Sequence, residues 1–368
     1  MKLAYLANIR FPSERAHSTH IAHMCQAFSA VPANVTLIVN KRVLGSNKAV
    51  DDLYKFKSDF TIQRIYSSPL VTSIFFTFHL SALIFVFNAL LHSRRTEYDI
   101  FYTRDEWITW MLSFFIPSKK IIWESHEAKF NLPARRILKK GIKTIVISEG
   151  IYTAYIKRGV DASQMLIAHD AIDESFFGPV DTQATARERL GLSSDSKIAM
   201  YIGGFDAWKG VETFFKAASL TKDTLYVAIG GTELQVAEYT KQYPDVVFLG
   251  SKPYSDLKDY QQAADILVIP NTATNTLSAN YTSPLKLFAH MTSGIPLLLS
   301  DIPSLKNVTG TELVTFFEAD NAIALDKGVT SIVLDAAKKK QNALVLKRIS
   351  EKYTWTERTH SIIKFISA

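Results

Sequence analysis

The sequence predicts an α/β protein of two domains, each built on a doubly wound parallel sheet, and three features support this prediction. The chain has 368 residues, more than the roughly 250 to 300 at which a single hydrophobic core stops growing. Short β-rich apolar segments alternate with helical segments in both halves, which is typical of parallel βαβ units. These strand segments are almost continuously apolar, so we expect both faces of each sheet to be buried.

The predicted strands form two groups along the chain. The first group is KLAYLAN, VTLIVN, FTIQRIY, DIFYTR, KIIWES, TIVIS and QMLIAH, and the second is KIAMYIGG, TLYVAIGG, VVFLGS, DILVIPN, IPLLLSD and VTFFEAD. Between the groups, residues 175–196 concentrate Gly, Pro, Ser and charged residues. This composition predicts a linker, with a domain boundary near Pro179.

The composition is that of a globular protein with a basic first half. Hydrophobic residues make up 47% and charged residues 21%, which excludes disordered and collagen-like chains. A single cysteine, Cys25, provides no disulfide framework and fits a reducing compartment. Residues 1–175 hold 22 Lys and Arg against 15 Asp and Glu, whereas residues 176–368 hold 20 of each. The asymmetry suits an anionic membrane surface or a phosphate-bearing acceptor, and a basic surface without a partner is an equal alternative. Nucleic acid is less favoured, because no recognised binding motif accompanies the charge.

Two segments bear on location in the cell. The start, MKLAYLAN, has the pattern of a strand and is followed by polar RFPSERAHS, so a signal peptide is not predicted and a cytoplasmic protein is expected. Residues 70–91 carry no charge and are long enough to span a bilayer. His79 and Asn88 interrupt this segment, and the strand DIFYTR follows it. We therefore predict a buried helix, or one that lies on the inner face of a membrane.

The first candidate site follows the strand KIAMYIGG. Ligands of doubly wound sheets bind beyond the carboxyl ends of the strands. The sequence places Gly203 and Gly204 at such an end and Lys209 just before a helix. Glycine lets the backbone approach a ligand, and a lysine near a helix start can meet a phosphate. A tight turn with a solvated lysine is the alternative.

The second candidate site is in NYTSPLKLFAHMTSGIPLLLSD. Ser283 is predicted to cap a helix that has Pro284 at its first position and ends at Gly294. The helix start, with Leu285 and Lys286, follows the strand DILVIPN. Its unpaired N–H groups and the lysine form a generic anion site suited to a diphosphate.

Five segments, spread over nearly the whole chain, occur in a characteristic order. They are PSERAHSTHIAHMCQAF, YIGGFDAWKGVE, VVFLGSKPYSDLKDYQQAADILVIPN, TSPLKLFAHMTSGIPLLLSD and EKYTWTERTHSIIKFI. Together they resemble the retaining GT-B glycosyltransferases of glycosyltransferase family four, also described as glycosyl transferases group 1. The resemblance implies two Rossmann-like domains that face a cleft, at 1–178 and 179–354, with a helix at 355–368 that packs back on the first domain.

The resemblance also implies an activity and its partners. Members transfer a sugar, with retention, from a nucleotide diphosphate donor to a glycan or lipid-linked acceptor in the synthesis of cell-surface polysaccharide or glycoconjugate. The nucleotide sugar is a substrate, and no cofactor is implied. No metal is implied either, and the sequence has no Asp-x-Asp pair and no His/Cys cluster with metal-ligand spacing.

Roles for single residues follow from the same resemblance. Lys209 is expected to neutralise the donor diphosphate as charge develops on the leaving group, and His126, directly after KIIWES, to face the donor sugar and the acceptor. Without the resemblance, His126 would be read as a surface loop histidine. For His17 and His20, plain polar surface is the alternative. The remaining positions are donor contacts at Gly203, Gly204, Ser283, Pro284, Leu285, Lys286 and Ala289, and acceptor-side residues at His17, His20 and Arg104.

One departure from the family pattern concerns the ribose of the donor. The family commonly has glutamates at the positions of Tyr281 and Ala289, and the second of these accepts hydrogen bonds from the ribose. Loss of such a charged hydrogen bond weakens affinity roughly ten- to a hundredfold. Either His290 or another residue compensates, or the substitution was introduced, or catalysis has been lost. A catalytically degenerate nucleotide-sugar or glycan-binding protein is therefore the alternative function, and a nucleotide-sugar epimerase is a third.

Overall fold

The computed structural model describes residues 1–13, 16–31, 33–41, 47–54, 56–67, 75–253 and 256–368. These residues divide into two compact units. The first comprises Met1–His169 together with Trp355–Ala368, and the second is Asp170–Thr354. Each unit contains a parallel sheet with helices, which confirms the predicted α/β class with two doubly wound sheets, and each of the thirteen predicted strands is present.

In the first unit, parallel strands form a seven-stranded sheet. They are β1 Lys2–Ala7, β2 Asn34–Asn40, β3 Thr61–Ile65, β4 Ile100–Thr103, β5 Ile121–Ser125, β6 Lys143–Val146 and β7 Met165–Ile167. Their order is β3-β2-β1-β4-β5-β6-β7. The helices of this unit are α1 Ala16–Ala30, α2 Asn47–Tyr54, α3 Phe75–Ser93, α4 Glu106–Leu112, α5 Leu132–Lys139, α6 Glu149–Ile156 and, from the end of the chain, α15 Trp355–Ser367.

In the second unit, the parallel sheet has six strands. They are β8 Lys197–Ile202, β9 Thr224–Ile229, β10 Val246–Phe248, β11 Ile266–Ile269, β12 Leu297–Ser300 and β13 Thr315–Phe317, in the order β10-β9-β8-β11-β12-β13. The helices are α7 Gln183–Leu190, α8 Val211–Ala217, α9 Glu233–Gln242, α10 Leu257–Gln261, α11 Leu285–Thr292, α12 Pro303–Thr309, α13 Ala322–Leu334 and α14 Ala336–Ser350. The strand order reverses between β8 and β11, so the carboxyl ends of these two strands flank the crevice where doubly wound sheets bind ligands.

Both faces of the second sheet are buried, as the apolar strand pattern predicts. Along β8, Ile198 and Met200 belong to one hydrophobic cluster, whereas the intervening Ala199 and Tyr201 belong to another. Successive side chains of a strand point to opposite faces. Each face is therefore covered by its own layer of apolar side chains, which fixes the strand ends that carry the candidate site.

The division between the units falls at His169, whereas the linker was predicted near Pro179. The intervening residues pack in the second unit. Ile172 forms a parallel bridge with Thr354, and Phe176 is buried in one of the hydrophobic clusters of that unit. Burial of these two apolar side chains ties the segment to the second core.

The apolar segment at 70–91 is described from residue 75 onward, where it forms α3, and residues 70–74 lie outside the described residues. Ala82, Phe85 and Val86 are buried, whereas Leu83 and Phe87 are exposed. Helix α3 thus buries one face and presents apolar side chains on another. Over the part of the chain that the structure describes, no helix combines the length and the apolar character that crossing a membrane requires.

Candidate functional site

In the second unit, the candidate site is built on the double glycine that follows β8. The Tyr201 hydroxyl, near the end of this strand, donates to the carbonyl of Gly204 at 2.7 Å and so fixes the turn. A Cβ on Gly203 would lie 3.5 Å from Lys286 Nζ, and a Cβ on Gly204 would lie 2.8 Å from Lys209 Nζ. The ammonium group of Lys286 is therefore close to Gly203, and that of Lys209 is close to Gly204.

Lys209 reaches this position through a tight turn. It ends a short 3₁₀ helix, Ala207–Lys209, and Gly210 then adopts φ 63°. A Cβ on Gly210 would lie 2.0 Å from the carbonyl oxygen of Pro270, just after β11. Only glycine tolerates both this dihedral and this approach. Gly210 thus brings the turn of Lys209 against the carboxyl end of the neighbouring strand.

The charge of Lys209 is balanced by a carboxylate of the same turn. Its Nζ lies 2.6 Å from Asp206 Oδ2, with the lysine side chain one-fifth exposed and the aspartate more than half exposed. Partly exposed pairs of this kind contribute little to stability because water screens both charges. The Asp206 carboxylate therefore marks where an oxyanion can lie against Lys209, and an incoming phosphate would compete with it.

Lys286 is the second cation of the site and lies in the first turn of α11. Its Nζ donates to the Tyr201 hydroxyl at 3.2 Å and lies 4.5 Å from the centre of the Tyr201 ring. Burial, together with the charge of Lys209, lowers the pKa of Lys286 to about 7, although Asp206 acts in the opposite direction. A half-buried ammonium group that contacts the hydroxyl and the ring of Tyr201, and whose pKa is lowered, gains from a bound anion.

The predicted cap of α11 is wrong. The helix begins at Leu285, and Pro284 precedes it without any side-chain capping bond. Ser283 is buried, and its Oγ instead accepts a hydrogen bond of 2.9 Å from the backbone N–H of Asp170. The reason is a tertiary contact, because the serine hydroxyl accepts from a backbone N–H that is distant along the chain. The first N–H groups of α11 therefore lack a side-chain cap.

The position of the missing family glutamate is buried in the second unit. Ala289 is 4% exposed and lies in a hydrophobic cluster. Neighbouring His290 is also buried, and its Nδ1 accepts from Gln261 Nε2 at 3.2 Å. Burial and the charge of Lys286 lower the pKa of His290 to about 3. His290 is therefore neutral, so any compensation by it supplies an imidazole N–H and not a negative charge.

In the first unit, the predicted acceptor-side residues meet around a carboxylate that the sequence analysis did not single out. Glu124 lies within β5 and is fully buried. Its Oε1 lies 2.8 Å from His20 Nε2 and 2.5 Å from His126 Nε2, and its Oε2 accepts from the Tyr102 hydroxyl. Burial raises the pKa of Glu124, but Arg358 and these hydrogen bonds outweigh it, so the pKa lies well below its ordinary value.

His126 connects this carboxylate to Arg104. The Nη2 of Arg104 lies 2.9 Å from His126 Nδ1, and its Nη1 donates to the carbonyl oxygen of His17 at 3.4 Å. Burial lowers the pKa of His126 to about 4, helped by the charge of Arg104 and opposed by Glu124. The structure therefore brings together His17, His20, Arg104 and His126, the four residues predicted for the first domain.

Arg358 completes this cluster from the last helix. Its Nη2 lies 3.3 Å from Glu124 Oε1, and its Nε donates to the carbonyl of His169 at 2.7 Å. Sequence reasoning missed both Glu124 and Arg358. A glutamate inside the apolar strand KIIWES was a usable signal, because a buried carboxylate requires partners. No local pattern pointed to Arg358, which lies 234 residues away along the chain.

Three residues of the cluster have the arrangement of potential metal ligands. The ligand atoms of His20, Glu124 and His126 lie within 4.8 Å of one another, although the sequence shows no metal-ligand spacing. The fold assembles them from α1, β5 and the residue after β5. Arg104 and Arg358 contact the same groups, and two guanidinium charges oppose a bound cation. The hydrogen-bonded cluster accounts for the geometry without an ion.

Comparisons with known proteins bear on the second unit most directly. Residues 182–346 match the model of the family described as Glycosyl transferases group 1. The curated relatives include the putative teichuronic acid biosynthesis glycosyltransferase TuaC of Bacillus subtilis strain 168, 23% identical over 155 residues, or 42% of this chain and 38% of the relative. D-inositol 3-phosphate glycosyltransferase of Mycobacterium tuberculosis is 24% identical over 123 residues, 31% of this chain and 25% of the relative. The matched chain thus spans well under half the length of these relatives.

Solved structures show the same fold over the full chain. Sucrose-phosphate synthase from Thermosynechococcus elongatus has a TM-score of 0.78 at 18% identity and covers 100% of this chain and 98% of its own. Alr3699/HepE from Anabaena in complex with UDP-glucose has a TM-score of 0.74 at 15% identity, with 100% and 99% covered. WaaG, a glycosyltransferase involved in lipopolysaccharide biosynthesis, has a TM-score of 0.69 at 11% identity, with 100% of both chains covered. At these identities the likeness establishes the fold, and it confirms the predicted GT-B class.

Proposed function

We propose that this chain transfers a sugar from a nucleotide diphosphate donor, since residues 182–346 of its second unit match the model of the family described as Glycosyl transferases group 1. The observation that carries the proposal is the pair of lysines, Lys209 and Lys286, on the Gly203–Gly204 backbone at the switch point of the second sheet. Two ammonium groups beside partly exposed glycine backbone suit the two phosphates of such a donor.

The same geometry supports a mechanism in which the positive groups act on the leaving diphosphate. As the bond to the sugar breaks, negative charge grows on the phosphate oxygen. Lys209 exchanges Asp206 for that oxygen, and Lys286 becomes fully protonated as the anion approaches. Fixed positive charges interact most strongly when the leaving group is most negative. They therefore lower the activation barrier of sugar transfer and do not only tighten donor binding. We propose that these lysines serve in place of a metal ion and that no cofactor takes part.

A uridine nucleotide is the first donor to test. The solved structures of the Anabaena protein contain UDP and UDP-glucose, and this chain shares their fold. Ala289 leaves the ribose without the carboxylate that the family pattern supplies. We therefore expect donor affinity about ten- to a hundredfold weaker than a ribose-binding carboxylate would give.

The acceptor is proposed to be a glycan or lipid-linked sugar, with the donor sugar transferred with retention. Support comes from the relative TuaC, whose name places it in teichuronic acid biosynthesis, and from the basic first half of the chain. Transfer at the inner face of a membrane suits such an acceptor. The exposed apolar residues of α3 supply a surface for peripheral contact, and the exposed basic residue Arg95 follows this helix.

The experiment that tests the proposed activity is donor turnover by the intact chain. UDP-glucose and other nucleotide sugars are incubated with the wild type and with Lys209→Ala, and release of the nucleoside diphosphate is measured. Lys209→Ala should lower turnover at least about a hundredfold, as removal of one charge-stabilising group does. The matched control is Lys216→Ala, an exposed lysine of α8 that pairs with Glu212 at 3.4 Å. Equal turnover in all three proteins would overturn the proposal.

A second candidate is a non-catalytic nucleotide-sugar or glycan-binding protein. Ala289 favours it, because a site that lacks the ribose carboxylate has lost part of the donor-recognition pattern. Saturable, Lys209-dependent binding of a nucleotide sugar with no turnover against a panel of acceptors would support this candidate and exclude the transferase.

A further inference from the structure

A line of polar contacts crosses the first unit from its last helix to the end of β4. Arg358 contacts Glu124 at 3.3 Å, Glu124 contacts His126 at 2.5 Å, and His126 contacts Arg104 at 2.9 Å. The first three side chains are buried or largely buried, whereas Arg104 is partly exposed. The line therefore begins in the protein interior and ends at a charged group that solvent can reach.

The direction of the hydrogen bonds follows from the chemistry of arginine. A guanidinium only donates, so His126 Nδ1 accepts from Arg104. The proton of the neutral imidazole is then on Nε2, which donates to Glu124 Oε1. Both ring nitrogens of His126 are thus engaged within the first unit. The imidazole has no nitrogen left for a substrate unless one of these bonds breaks.

Glu124 is held as the anion that this arrangement needs. The groups that face it are Arg358 from α15, Tyr102 from β4, His20 from α1 and His126. Its low pKa keeps it ionised throughout the neutral range. An anion at Nε2 and a cation at Nδ1 both favour one tautomer and one ring orientation.

Arg104 is the residue of this series whose N–H donors are only partly used by the described residues. Two of its five N–H groups bond to His126 and to the carbonyl of His17. Within the described ranges, no carboxylate lies within 4.0 Å of its guanidinium. A partly exposed guanidinium that is oriented by hydrogen bonds, with no counter-ion among the described residues, is suited to bind an oxyanion.

We propose that Arg104 is the group of the first unit that contacts substrate, and that Glu124 and His126 are positioning residues that aim its guanidinium at an oxyanion of the substrate. The inference rests on the proposed function, because it names the residue through which that function recognises a phosphate or carboxylate oxygen. It reassigns His126 from a catalytic residue to one that acts through Arg104.

The positioning role is tested by ¹⁵N NMR of the intact chain labelled at histidine, which needs no enzymatic activity. From about pH 5 to 8, His126 should remain neutral with its proton on Nε2. In Arg104→Met, burial still lowers the pKa of His126, but removal of the neighbouring cation should raise the pH at which His126 takes up a proton. A proton on Nδ1, or the same titration in both proteins, would overturn the inference. His126→Gln assigns the signal, and Arg94→Met, at an exposed arginine after α3, is the matched control.

Oxyanion binding is tested in the same samples with inorganic phosphate. Added phosphate should shift the His126 signals of the wild type and of Arg94→Met, since it binds the group that is hydrogen-bonded to Nδ1. It should leave those of Arg104→Met unchanged. Equal shifts in all samples would mean that the phosphate binds elsewhere and would overturn the assignment of Arg104.

A double-mutant cycle on kcat/KM separates a positioning histidine from one that contacts substrate. Arg104→Met should lower kcat/KM about ten- to a hundredfold, the range for a charged hydrogen bond. Addition of His126→Ala to this variant should not lower kcat/KM further. If the decrease in kcat/KM of the double variant equals the product of the two single decreases, His126 contacts substrate itself. Glu124→Gln replaces His126→Ala in the cycle if the latter does not fold. A chain that passes the NMR tests but has no transferase activity contradicts the proposed function and not this inference.

Discussion

At the scale of single residues, the account depends on how two lysines are held without a donor. Lys209 is paired with Asp206, whereas Lys286 is half-buried, contacts Tyr201 and has its pKa lowered to about 7. The two lysines therefore differ in how they respond to a diphosphate. We expect Lys209 to exchange one anion for another and Lys286 to take up a proton.

This difference predicts a pH dependence of nucleotide binding. Lys286 is charged below its pKa of about 7 and neutral above it, and the diphosphate favours the charged form, so UDP affinity should fall as the pH rises from about 6.5 to 8.5. Lys286→Arg keeps the charge at every pH in this range. Calorimetric titration at constant ionic strength should show the fall in the wild type alone.

The arginine variant also serves as the control for the nucleotide, whose own phosphate ionises near pH 6. A contribution from the phosphate appears in both proteins, and only the difference between them belongs to Lys286. Parallel pH profiles for wild type and Lys286→Arg would contradict the role given to this lysine.

At the scale of secondary structure elements, α15 matters because it carries Arg358 into the first unit. Buried Trp355, at the start of this helix, lies edge-on to His20 at 5.1 Å. Lys143 donates to the carbonyl of Phe365 at 2.8 Å near its other end. The helix is thus attached along its length, and its arginine is the charge that faces buried Glu124.

Arg358→Met should destabilise the first unit, because it removes the guanidinium that contacts the buried Glu124 carboxylate. Removal of one partner of a buried ion pair lowers the free energy of unfolding by about 3 to 5 kcal/mol. The native pKa of Glu124 is low, so the stability from its ionised form is present above about pH 4.3 and is lost as the pH falls through the native pKa. Thermal unfolding should therefore show a larger loss at pH 7 than at pH 4.

The comparison for this prediction is Lys364→Met, an exposed position of the same helix. It alters charge on α15 without touching Glu124, and it should leave the melting temperature nearly unchanged. Equal effects of the two substitutions, or a loss from Arg358→Met that does not depend on pH, would show that Glu124 is not held by Arg358.

The exposed face of α3 makes a separate prediction about membranes. Leu83 and Phe87 are more than half exposed on this helix, and Lys140 lies 4.8 Å from the ring of Phe114, itself an exposed aromatic residue of this unit. Exposed apolar side chains, on a unit that also presents an exposed aromatic ring with a lysine beside it, suit an anionic lipid surface. Leu83→Ser should weaken binding to phosphatidylglycerol vesicles at low salt in a flotation assay.

Leu234→Ser is the matched substitution, because Leu234 is also an exposed helical leucine but lies in the second unit. It should leave flotation unchanged. If the wild type does not float with the vesicles, or if both variants lose binding equally, the proposed membrane contact at α3 is contradicted.

At the scale of the whole molecule, the sequence predicts the two sheets and the strand ends well, because these depend on local apolar patterns and on parallel topology. Lys209 and Lys286 could be singled out from the sequence because each follows a predicted strand of the second sheet, and their contact with a donor stays a prediction. Glu124 and Arg358 were missed as a pair, since their contact depends on tertiary packing across most of the chain. The same limit explains Ser283, whose hydroxyl satisfies a distant backbone donor instead of capping its own helix.

The central claim is that the second unit binds a nucleoside diphosphate at Lys209 and Lys286. The measurement that tests it most directly is a thermal-shift titration of the intact chain with UDP, GDP and ADP, for the wild type, Lys209→Ala and Lys216→Ala. One nucleotide should raise the melting temperature of the wild type and of Lys216→Ala and have no effect on Lys209→Ala. A shift that survives in Lys209→Ala, or no shift with any nucleotide in the wild type, would contradict the claim.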